Sequence, residues 1–321
     1  MPKNKKPDPG RPVYVLGEIV IDVILYDPSS ICVFDQPVWA RDIRFMLGGS
    51  ASYVAQGLNA LGCPVVINSF AGDDDLTSQL LRSLDRQGLD TGAVLRQAGV
   101  RTSICIGVSD KGKKRFIGCS LFAPYPSELL AEPPSNASLV YFGGLAMYPD
   151  LWDGRLAAYL EAAGKHAWVI MDTQMLPIPA EKYRTQAINW HNLHPVDVLL
   201  VNRAEAMALT GLHQPDDAGR ALLEFGPKCV VVKLGSDGAL AVQAGTSVTL
   251  VSKSWSVKVE EPVGAGDFFG AGLSFGLLQG WGMQRCLDFA NVFAGLVISR
   301  QTGDMPDLAR TLEIMESHFL G

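Results

Sequence analysis

Cysteine pairs and histidine clusters are missing from this sequence. Its 321 residues include six cysteines, and no two of them stand in a C-x-x-C pair. In a chain of this length, scattered cysteines are typical of reduced, mostly buried thiols, so we expect a reducing compartment and a cytoplasmic protein. The five histidines form no H-E-x-x-H pattern, and the pair His191 and His194 is followed at once by Pro195. The sequence therefore favours neither a disulfide scaffold nor a metal held by histidine or cysteine.

An excess of positive charge and a long apolar run are also absent. The chain has 27 lysines and arginines against 33 aspartates and glutamates, a net charge of 27 − 33 = −6, which argues against a nucleic-acid partner. The longest apolar stretches, residues 13–25 and 290–298, are shorter than the roughly 20 residues of a membrane-spanning helix, and we expect no membrane partner. Residues 1–12 are basic and proline-rich without the apolar core of a secretion signal, so they are predicted to be a disordered tail.

What the sequence does contain is an alternation of strand-like and helix-like segments. Apolar residues make up 48% of the chain and charged residues 19%, as in a globular protein with a sizeable core. The predicted strands are residues 13–19, 65–70, 139–143, 168–172, 196–202, 230–233 and 239–243, and the predicted helices are residues 50–61, 76–87, 154–164, 205–209, 265–279, 283–300 and 305–319. This alternation predicts one α/β domain over residues 13–321, with a central, mostly parallel sheet covered by helices on both faces.

Two segments, residues 20–47 and 100–120, interrupt this alternation. The first shows patchy alternation of apolar and polar residues together with two prolines, which is more typical of edge strands and turns than of a core. The second contains two short strand-like runs joined by Asp110-Lys111-Gly112, which is a hairpin signal. We therefore expect a small β-sheet beside the main domain.

The most informative stretch is Gly264-Ala265-Gly266-Asp267, which precedes an apolar helix. The backbone N–H groups of these small residues can converge at the helix N-terminus, where the helix dipole favours an anion. Asp267 in the same first turn has two interpretations. It is either a carboxylate that accepts a proton during catalysis or an ordinary acid that interacts with the helix dipole, and the residues alone leave both open.

Three further polar residues are candidates for a site. Asn202 and Glu205 follow a predicted strand on one face of a helical turn, at the sheet edge where ligands bind in α/β proteins. Their oxygens would suit a Mg²⁺ ion held through water, but the same pair is also typical of a helix cap. Asp22 is a charge within an apolar run, and hydrogen bonds to sugar hydroxyls would give a buried acid the partners that it needs.

Two glycine-rich stretches match known nucleotide-binding motifs only loosely. Residues 264–270 follow a G-x-G-x-x-x-G pattern, one residue longer than the dinucleotide fingerprint, and lie near the C-terminus. Residues 107–114 nearly match the Walker A pattern, but Lys114 stands where a serine or threonine must bind Mg²⁺. We therefore expect neither a nicotinamide enzyme nor a P-loop.

Across about residues 13–319 the chain resembles the ribokinase family, the PfkB-type carbohydrate kinases. Four features match in order: residues 17–22 resemble the first strand with its substrate-binding aspartate, residues 48–62 the first family signature, Asn202-x-x-Glu205 the magnesium and phosphate motif, and Gly264-Ala-Gly-Asp267 the second signature. Each match is weak when taken singly. All four in this order, with β segments where the family keeps its lid, identify the chain as a member.

The resemblance implies transfer of a phosphoryl group from ATP to a hydroxyl of a sugar or related alcohol, with Mg²⁺ bridging the ATP phosphates. Asp267 would accept the proton of the hydroxyl, while the backbone amides of Gly264, Ala265, Gly266 and Asp267 would hold the charge that develops on the moving group. Segments 20–47 and 100–120 would form a lid that excludes water, and because family members often pair through their lids, the analogy suggests a homodimer. The remaining implied residues are Asp22, Gly48, Gly49 and Tyr53 for the acceptor; Asn202, Lys233, Gly235, Gly238 and Asn291 for ATP; and Glu205 with Asn202 for a water-held Mg²⁺.

The chain departs from the family pattern at several positions. Tyr53 stands where the first signature usually has a sugar-binding asparagine, and its ring keeps a nucleoside kinase of the same fold open, since a ring can stack on a base. Val20 occupies a position that is polar in ribokinase itself, which argues against ribose as the acceptor. Glu261-Pro262 replaces the usual Asp-Thr, so dependence on a monovalent cation is left open, and Gln174 replaces the asparagine of a common Asp-x-Asn element. A non-catalytic ligand-binding member is a further alternative, against which the retained Asp267 argues.

Overall fold

The structure, a computed structural model, describes residues 8–28, 35, 37–110, 113–119, 124–174, 193–299 and 305–319. Within these ranges the strands are β1 (Val13–Leu16), β2 (Val20–Tyr26), β3 (Asp42–Gly48), β4 (Val65–Asn68), β5 (Phe70–Gly72), β6 (Leu95–Gln97), β7 (Ile104–Asp110), β8 (Lys113–Cys119), β9 (Leu139–Gly143), β10 (Trp168–Asp172), β11 (Val198–Asn202), β12 (Cys229–Lys233), β13 (Ala239–Gln243) and β14 (Thr249–Ser252). The α-helices of the described ranges are α1 (Ser50–Ala60), α2 (Asp75–Arg86), α3 (Arg155–Ala163), α4 (Arg203–Thr210), α5 (Pro215–Leu223), α6 (Ala265–Leu278), α7 (Met283–Ser299) and α8 (Leu308–Phe319).

A central sheet of eight strands carries the main domain, in the order β14-β13-β12-β11-β10-β9-β1-β4. Its neighbours pair in parallel, except that β13 is antiparallel to both β12 and β14. Strands β9 and β10 are buried at all five positions and apolar except for Asp172 at the end of β10, because helices cover the sheet on both sides. The predicted α/β class and the mostly parallel sheet are confirmed.

The hydrophobic core lies on both faces of this sheet. On one face, strand residues such as Val15 pack with Leu58 of α1, Phe268 of α6 and Phe293 of α7. On the other face, residues such as Val140 pack with Leu160 of α3 and its neighbours. Alternate residues of one strand thus enter opposite core layers, as the two-residue period of a β-strand requires.

The predicted small sheet is also present, with strand order β3-β2-β7-β8. β2 is antiparallel to β3 and parallel to β7, and β7 forms the expected antiparallel pair with β8, while the turn residues 111–112 lie outside the described residues. One face of the small sheet presents Asp22, Cys105 and Phe116 toward a cavity. The opposite face exposes apolar side chains, with Phe45 76% and Ile43 54% exposed.

Both ends of the chain lie only partly within the described residues. In the tail predicted for residues 1–12, residues 1–7 fall outside them, whereas Arg11 donates hydrogen bonds to the backbone oxygens of Ser135 and Asn136 at 2.8 and 3.0 Å. None of the helices in the described ranges combines enough length and apolar character to span a membrane. The four cysteines whose side chains are described form no disulfide, and three of them are buried.

Candidate active site

Two neighbouring cavities open at the carboxyl ends of the central strands, where ligands bind in open α/β sheets. The larger cavity, of about 500 Å³, lies between the central sheet, the small sheet and the start of α6. The smaller cavity, of about 380 Å³, lies on the other side of the α6 N-terminus, against α7 and the segment after β14. Lys233, Ala265 and Gly266 line both cavities, so the two spaces meet at the first turn of α6.

The first turn of α6 is shaped by the Gly-Ala-Gly-Asp sequence. Gly264 caps the helix with φ of +77°, a left-handed conformation that favours glycine. The amides of Ala265 and Gly266 open the helix between the two cavities, at the end where its dipole is positive. A Cβ on Gly266 would lie 3.3 Å from Lys233 Nζ, so the small residue leaves this junction open to a ligand. The anion-binding role of this turn stays a prediction, for which the amides of Ala265 and Gly266 are the available donors, since the Asp267 N–H donates to Gly264 O at 2.9 Å.

Asp267 lies in the wall of the larger cavity and is held by two polar side chains. Gln174 Nε2 donates a hydrogen bond to Asp267 Oδ1 at 2.7 Å, and the same nitrogen contacts Ser50 Oγ at 3.0 Å. Burial and the nearby Asp172 carboxylate raise the pKa of Asp267 to about 6, while Lys233 and the hydrogen bonds from Gln174 and Ser50 act in the opposite direction. The positive end of the α6 dipole favours the ionised form of Asp267. Burial is the larger effect, although a pKa near 6 still leaves most molecules ionised at neutral pH.

Lys233 and Asp172 form the ion pair beneath the turn. Lys233 ends β12, and its Nζ lies 2.6 Å from Oδ2 of the fully buried Asp172, which ends β10. Tyr141 on β9 donates to the same carboxylate oxygen at 3.1 Å. Burial favours the neutral amine, but the carboxylates of Asp172 and Glu205 outweigh it and raise the pKa of Lys233 above its ordinary value. A permanently charged ammonium group therefore stands where the cavities meet.

Asp22 enters the larger cavity from the small sheet. It lies beyond the first strand, as predicted, and within β2, because the run of residues 13–25 divides between two sheets. Tyr53 donates a hydrogen bond to Asp22 Oδ2 at 2.6 Å, and burial raises the pKa of Asp22 to about 6 against the effect of this bond. Gly49 lines the cavity beside Tyr53, whereas Gly48 does not, and a Cβ on Gly48 would collide with the Asp22 carboxylate.

The ring of Tyr53 is less available than its sequence position suggested. It is 4% exposed and meets Phe268 edge to face, with the ring centres 5.5 Å apart. The expected stacking face for an acceptor is therefore largely taken up by the protein. Phe116 on β8 is the half-buried aromatic side chain that the small sheet contributes to this cavity.

Glu18 is a cavity residue that the sequence reasoning missed. It follows β1, lines the larger cavity and stands close to Asp22 and Asp267. Burial and the charges of these two carboxylates raise its pKa to about 7. In the sequence it was only a charge that interrupts an apolar run. No local pattern distinguishes such a residue from one that points to solvent.

Asn202 and Glu205 form the helix cap that was one of their two interpretations. Asn202 Oδ1 accepts the Glu205 backbone N–H at 2.8 Å, and Glu205 Oε2 accepts the Asn202 backbone N–H at 2.8 Å, a complete capping box. Thr173 Oγ1 also donates to Glu205 Oε2 at 2.8 Å. Both residues line the larger cavity, but these bonds and the one that Asn202 Nδ2 donates to Glu205 Oε1 occupy both oxygens of Glu205. The pair fits a Mg²⁺ ion held through water better than one ligated directly.

The smaller cavity contains the other residues implied for ATP. Lys233, Gly235, Gly238 and Asn291 line it, whereas Asn202 belongs to the larger cavity. Asn291 Nδ2 donates to Ser252 Oγ at 2.8 Å, which fixes α7 against β14. Trp255 and its neighbours also line the cavity, and the sequence did not predict them because they lie in an irregular segment. Apolar walls next to a helix N-terminus fit a nucleotide, with the base among the walls and the phosphates at the turn.

A directly ligated metal centre is not evident in this region. Among the described residues, no three histidine, cysteine, aspartate or glutamate side chains come together as ligands for a metal ion. His191, one of the histidines weighed in the sequence, lies outside the described residues.

Comparisons with known proteins agree with this geometry. The pfkB family carbohydrate kinase profile matches residues 11–308. A 5-dehydro-2-deoxygluconokinase of Geobacillus kaustophilus is 25% identical over 293 residues, which cover 86% of each chain. The solved structure of Arabidopsis thaliana ribokinase complexed with ribose and ATP superimposes with a TM-score of 0.77 at 22% identity, covering 96% of this chain and 99% of that one. The Burkholderia thailandensis nucleoside kinase in complex with inosine gives a TM-score of 0.75 at 18% identity, covering 96% and 99%. With the profile matching most of its length, the chain belongs to the pfkB family of carbohydrate kinases.

Proposed function

We propose that this kinase transfers the γ-phosphoryl group of ATP to a hydroxyl group of a sugar or sugar-like small molecule, with Asp267 as general base. The observation that supports this most is the meeting of two cavities at one helix N-terminus, with Lys233, Ala265 and Gly266 in the lining of both. A transfer between two substrates needs the donor and the acceptor held on opposite sides of the moving group. The larger cavity takes the acceptor in this proposal, and the smaller one takes the nucleotide.

Asp267 is the residue placed to receive the proton of the acceptor hydroxyl. Its carboxylate lies in the wall of the larger cavity, at the turn where the phosphates would end. A pKa of about 6 suits a base at neutral pH, because most molecules are ionised and yet the group binds a proton more readily than an ordinary aspartate. Gln174 and Ser50 hold this carboxylate in place.

Negative charge on the moving phosphoryl group would meet two fixed positive features. The amides of Ala265 and Gly266 face it from the α6 N-terminus, and the ammonium group of Lys233 lies beside them. These groups are oriented before the reaction begins, so they stabilise the transition state without reorganisation. Mg²⁺, when bound with ATP, supplies further charge neutralisation, and Asn202 and Glu205 would hold it through water. We leave a monovalent cation out of the proposal, because the Glu261 carboxylate accepts the Val263 N–H at 3.2 Å within its own loop.

The small sheet is the proposed lid over the acceptor. Asp22, Cys105 and Phe116 reach the larger cavity from three of its strands, so acceptor binding and lid position are coupled. A closed lid would exclude water that otherwise accepts the phosphoryl group. The outer face of the same sheet carries exposed Ile43, Phe45 and Ile106, and we propose that two copies pair through it.

The acceptor cavity favours a molecule with several hydroxyl groups. Carboxylates of Asp22 and Glu18 accept hydrogen bonds, and Val20 and Val263 offer apolar contacts between them. The related 5-dehydro-2-deoxygluconokinase and the structurally similar ribokinase and nucleoside kinase make sugars, sugar acids and nucleosides the classes to compare. A nucleoside receives less support than the sequence suggested, because the Tyr53 ring is buried against Phe268. A non-catalytic binder has no need of a base held as Asp267 is.

The test is ADP production from Mg-ATP with a panel of neutral sugars, sugar acids and nucleosides. Asp267→Asn should lower kcat on the accepted substrate at least about a hundredfold. ATP should still bind, and more tightly, because a negative charge near the phosphates is gone. Asp217→Asn is the matched control, since Asp217 is an exposed acid in the first turn of α5. If the folded Asp267→Asn protein keeps kcat within about threefold of the parent, as the Asp217 variant should, Asp267 is only a helix-dipole residue.

A further inference from the structure

Gln174 is the polar residue in the larger cavity whose backbone conformation is least expected. It has φ of +59°, and the only other non-glycine residues with positive φ in the described part of the chain are Asp27 and Asp35. Aspartate adopts the left-handed region several-fold more often than most residues, whereas glutamine shows no such preference. Unfavourable backbone conformations that persist in a folded protein cluster at functional sites. The position of the Gln174 side chain shows what this conformation achieves.

The left-handed turn directs the Gln174 amide toward Asp267. The Gln174 backbone N–H donates to Asp172 Oδ1 at 3.2 Å, so the turn is tied to the end of β10. Its side-chain nitrogen then reaches Asp267 Oδ1 at 2.7 Å and Ser50 Oγ at 3.0 Å. An amide nitrogen has two hydrogens, and these contacts use both. The carboxylate can only accept, so the nitrogen of the amide must face it.

We propose that Gln174 is a positioning residue for the phosphoryl transfer. It holds the Asp267 carboxylate through Oδ1, so that Oδ2 faces the acceptor hydroxyl. This inference rests on the proposed role of Asp267 as base, and it goes beyond that role by assigning the base its support. Ser50 completes the arrangement, because its hydroxyl contacts the same amide and sits against Gly143 of β9.

Several charged and titratable groups surround Asp267 besides Gln174. They are Asp172 on β10, Lys233 on β12, Glu18 after β1, Tyr53 on α1 and Tyr141 on β9. Asp172 and Glu18 disfavour the ionised form of Asp267, and Lys233 favours it. Gln174 is a neutral donor among these groups, so its removal changes the hydrogen bonding of Asp267 without changing the net charge of the site.

The first measurement needs no acceptor. Carboxyl carbons of ¹³C-aspartate-labelled protein are followed by NMR as a function of pH, and the Asp267 signal is assigned by its absence in Asp267→Asn. In the parent the pKa of Asp267 should be about 6. Gln174→Met keeps the length of the side chain and removes the donor, so this pKa should rise by about one pH unit. Gln174→Glu places a second carboxyl group there, and the pKa should rise further.

Gln56→Met is the matched control, because Gln56 is a half-buried glutamine on α1 that bonds Leu47 and Ser52 instead of Asp267. If Gln174→Met does not fold, Gln174→Gly removes the same amide and suits a φ of +59°. An Asp267 pKa that stays within about 0.3 of the parent value in the folded Gln174 variant overturns the proposal. Because this readout does not depend on turnover, it separates failure of the positioning role from failure of the proposed function.

The second measurement uses the acceptor found with the panel. Gln174→Met should lower kcat about tenfold to a hundredfold, the usual range for losing one hydrogen bond to a charged group. The acid limb of the kcat profile should move to higher pH, and the acceptor KM should change less than about threefold. A raised KM with an unmoved acid limb would show that Gln174 binds the acceptor instead, and the positioning role would be wrong.

Discussion

Replacing Glu18 with glutamine should make the folded protein more stable at neutral and alkaline pH. Burial and the carboxylates of Asp22 and Asp267 raise the pKa of Glu18 from 4.5 to about 7. At about 1.4 kcal/mol per pH unit, this difference corresponds to at most about 3.5 kcal/mol of folding free energy. The native carboxyl group holds its proton more tightly than the unfolded one, so the parent loses stability as pH rises from 4.5 to 7. A glutamine has no proton to lose and avoids this penalty.

The assay is urea unfolding of the parent and Glu18→Gln at about pH 4.5 and about pH 8. At the lower pH the two proteins should differ by less than about 0.5 kcal/mol, because the carboxyl group is largely protonated in the native state. At the higher pH the variant should be more stable by about 1 to 3 kcal/mol. Glu161→Gln, which changes an exposed glutamate on α3, should show no such dependence on pH. Equal pH dependence in the parent and the Glu18 variant would refute the argument that burial and charge raise this pKa.

Three further outcomes follow from the site and the small sheet. Asp22→Asn should raise the acceptor KM by roughly one to two decades, since it removes a charge-assisted hydrogen bond to the acceptor, while ATP affinity stays nearly unchanged. Steady-state kinetics measures the KM and calorimetry the ATP affinity. An unchanged KM would remove Asp22 from the acceptor site. Glu205→Gln should raise the Mg²⁺ concentration for half-maximal activity about tenfold. It should also lower thermal stability, because both Glu205 oxygens accept hydrogen bonds and an amide can accept with only one. A less stable variant with normal metal dependence would leave only the capping role. Phe45→Lys should convert a dimer to a monomer in sedimentation, because it places a charge on the apolar outer face of the small sheet, where Phe45 is 76% exposed. A parent protein that sediments as a monomer would contradict the proposed pairing.

The fold could be predicted where the sequence pattern and the burial pattern coincide. Strands β9 and β10 were predicted with their observed ends, because five consecutive residues in each, apolar except for Asp172, are buried on both faces. Helix α5 was missed because it begins with Pro215-Asp216-Asp217, which looks like a turn until Arg220 and the apolar side of the helix are considered together. β14 was missed because it is an edge strand, with Val251 57% exposed and little apolar period to detect.

The run of residues 13–25 shows how much of a tertiary arrangement a local pattern can predict. The sequence predicted a strand over residues 13–19 and assigned residues 20–47 to the small sheet, so the change of sheet was expected but the strand ends were not. In the structure the chain leaves the central sheet after Leu16 and enters the small sheet at Val20. Both strands are apolar because both are partly covered, so hydrophobicity alone does not mark the end of β1 at Leu16. Asp22 therefore reaches the cavity from the small sheet rather than from the sheet edge.

The site residues divide in the same way between those with a local signal and those without. Asp267, Asn202 and Glu205 occur in short motifs whose chemistry depends on neighbours within four residues, such as helix-terminal amides and caps. Glu18 and Gln174 follow separate strands of the central sheet, so only the parallel register that places strand ends together brings Gln174 into contact with Asp267 and Glu18 near it. No spacing along the chain encodes that juxtaposition.

The electrostatic balance of the site explains why these side chains are retained in a cavity that destabilises them. Glu18, Asp22 and Asp267 all have raised pKa values, and burial is the largest cause in each. The folded protein therefore binds protons here that the unfolded chain releases between about pH 4 and pH 7, and its stability falls over that range. Lys233 offsets part of the charge, but it is already paired with Asp172 at 2.6 Å. The hydroxyl groups of an acceptor would supply hydrogen-bond donors to these carboxylates, and the cation that accompanies ATP would supply positive charge. On this argument, ligand binding and the ionisation of Asp267 stabilise each other. The Glu18→Gln protein, which is more stable without ligand, should therefore bind the acceptor less well than the parent.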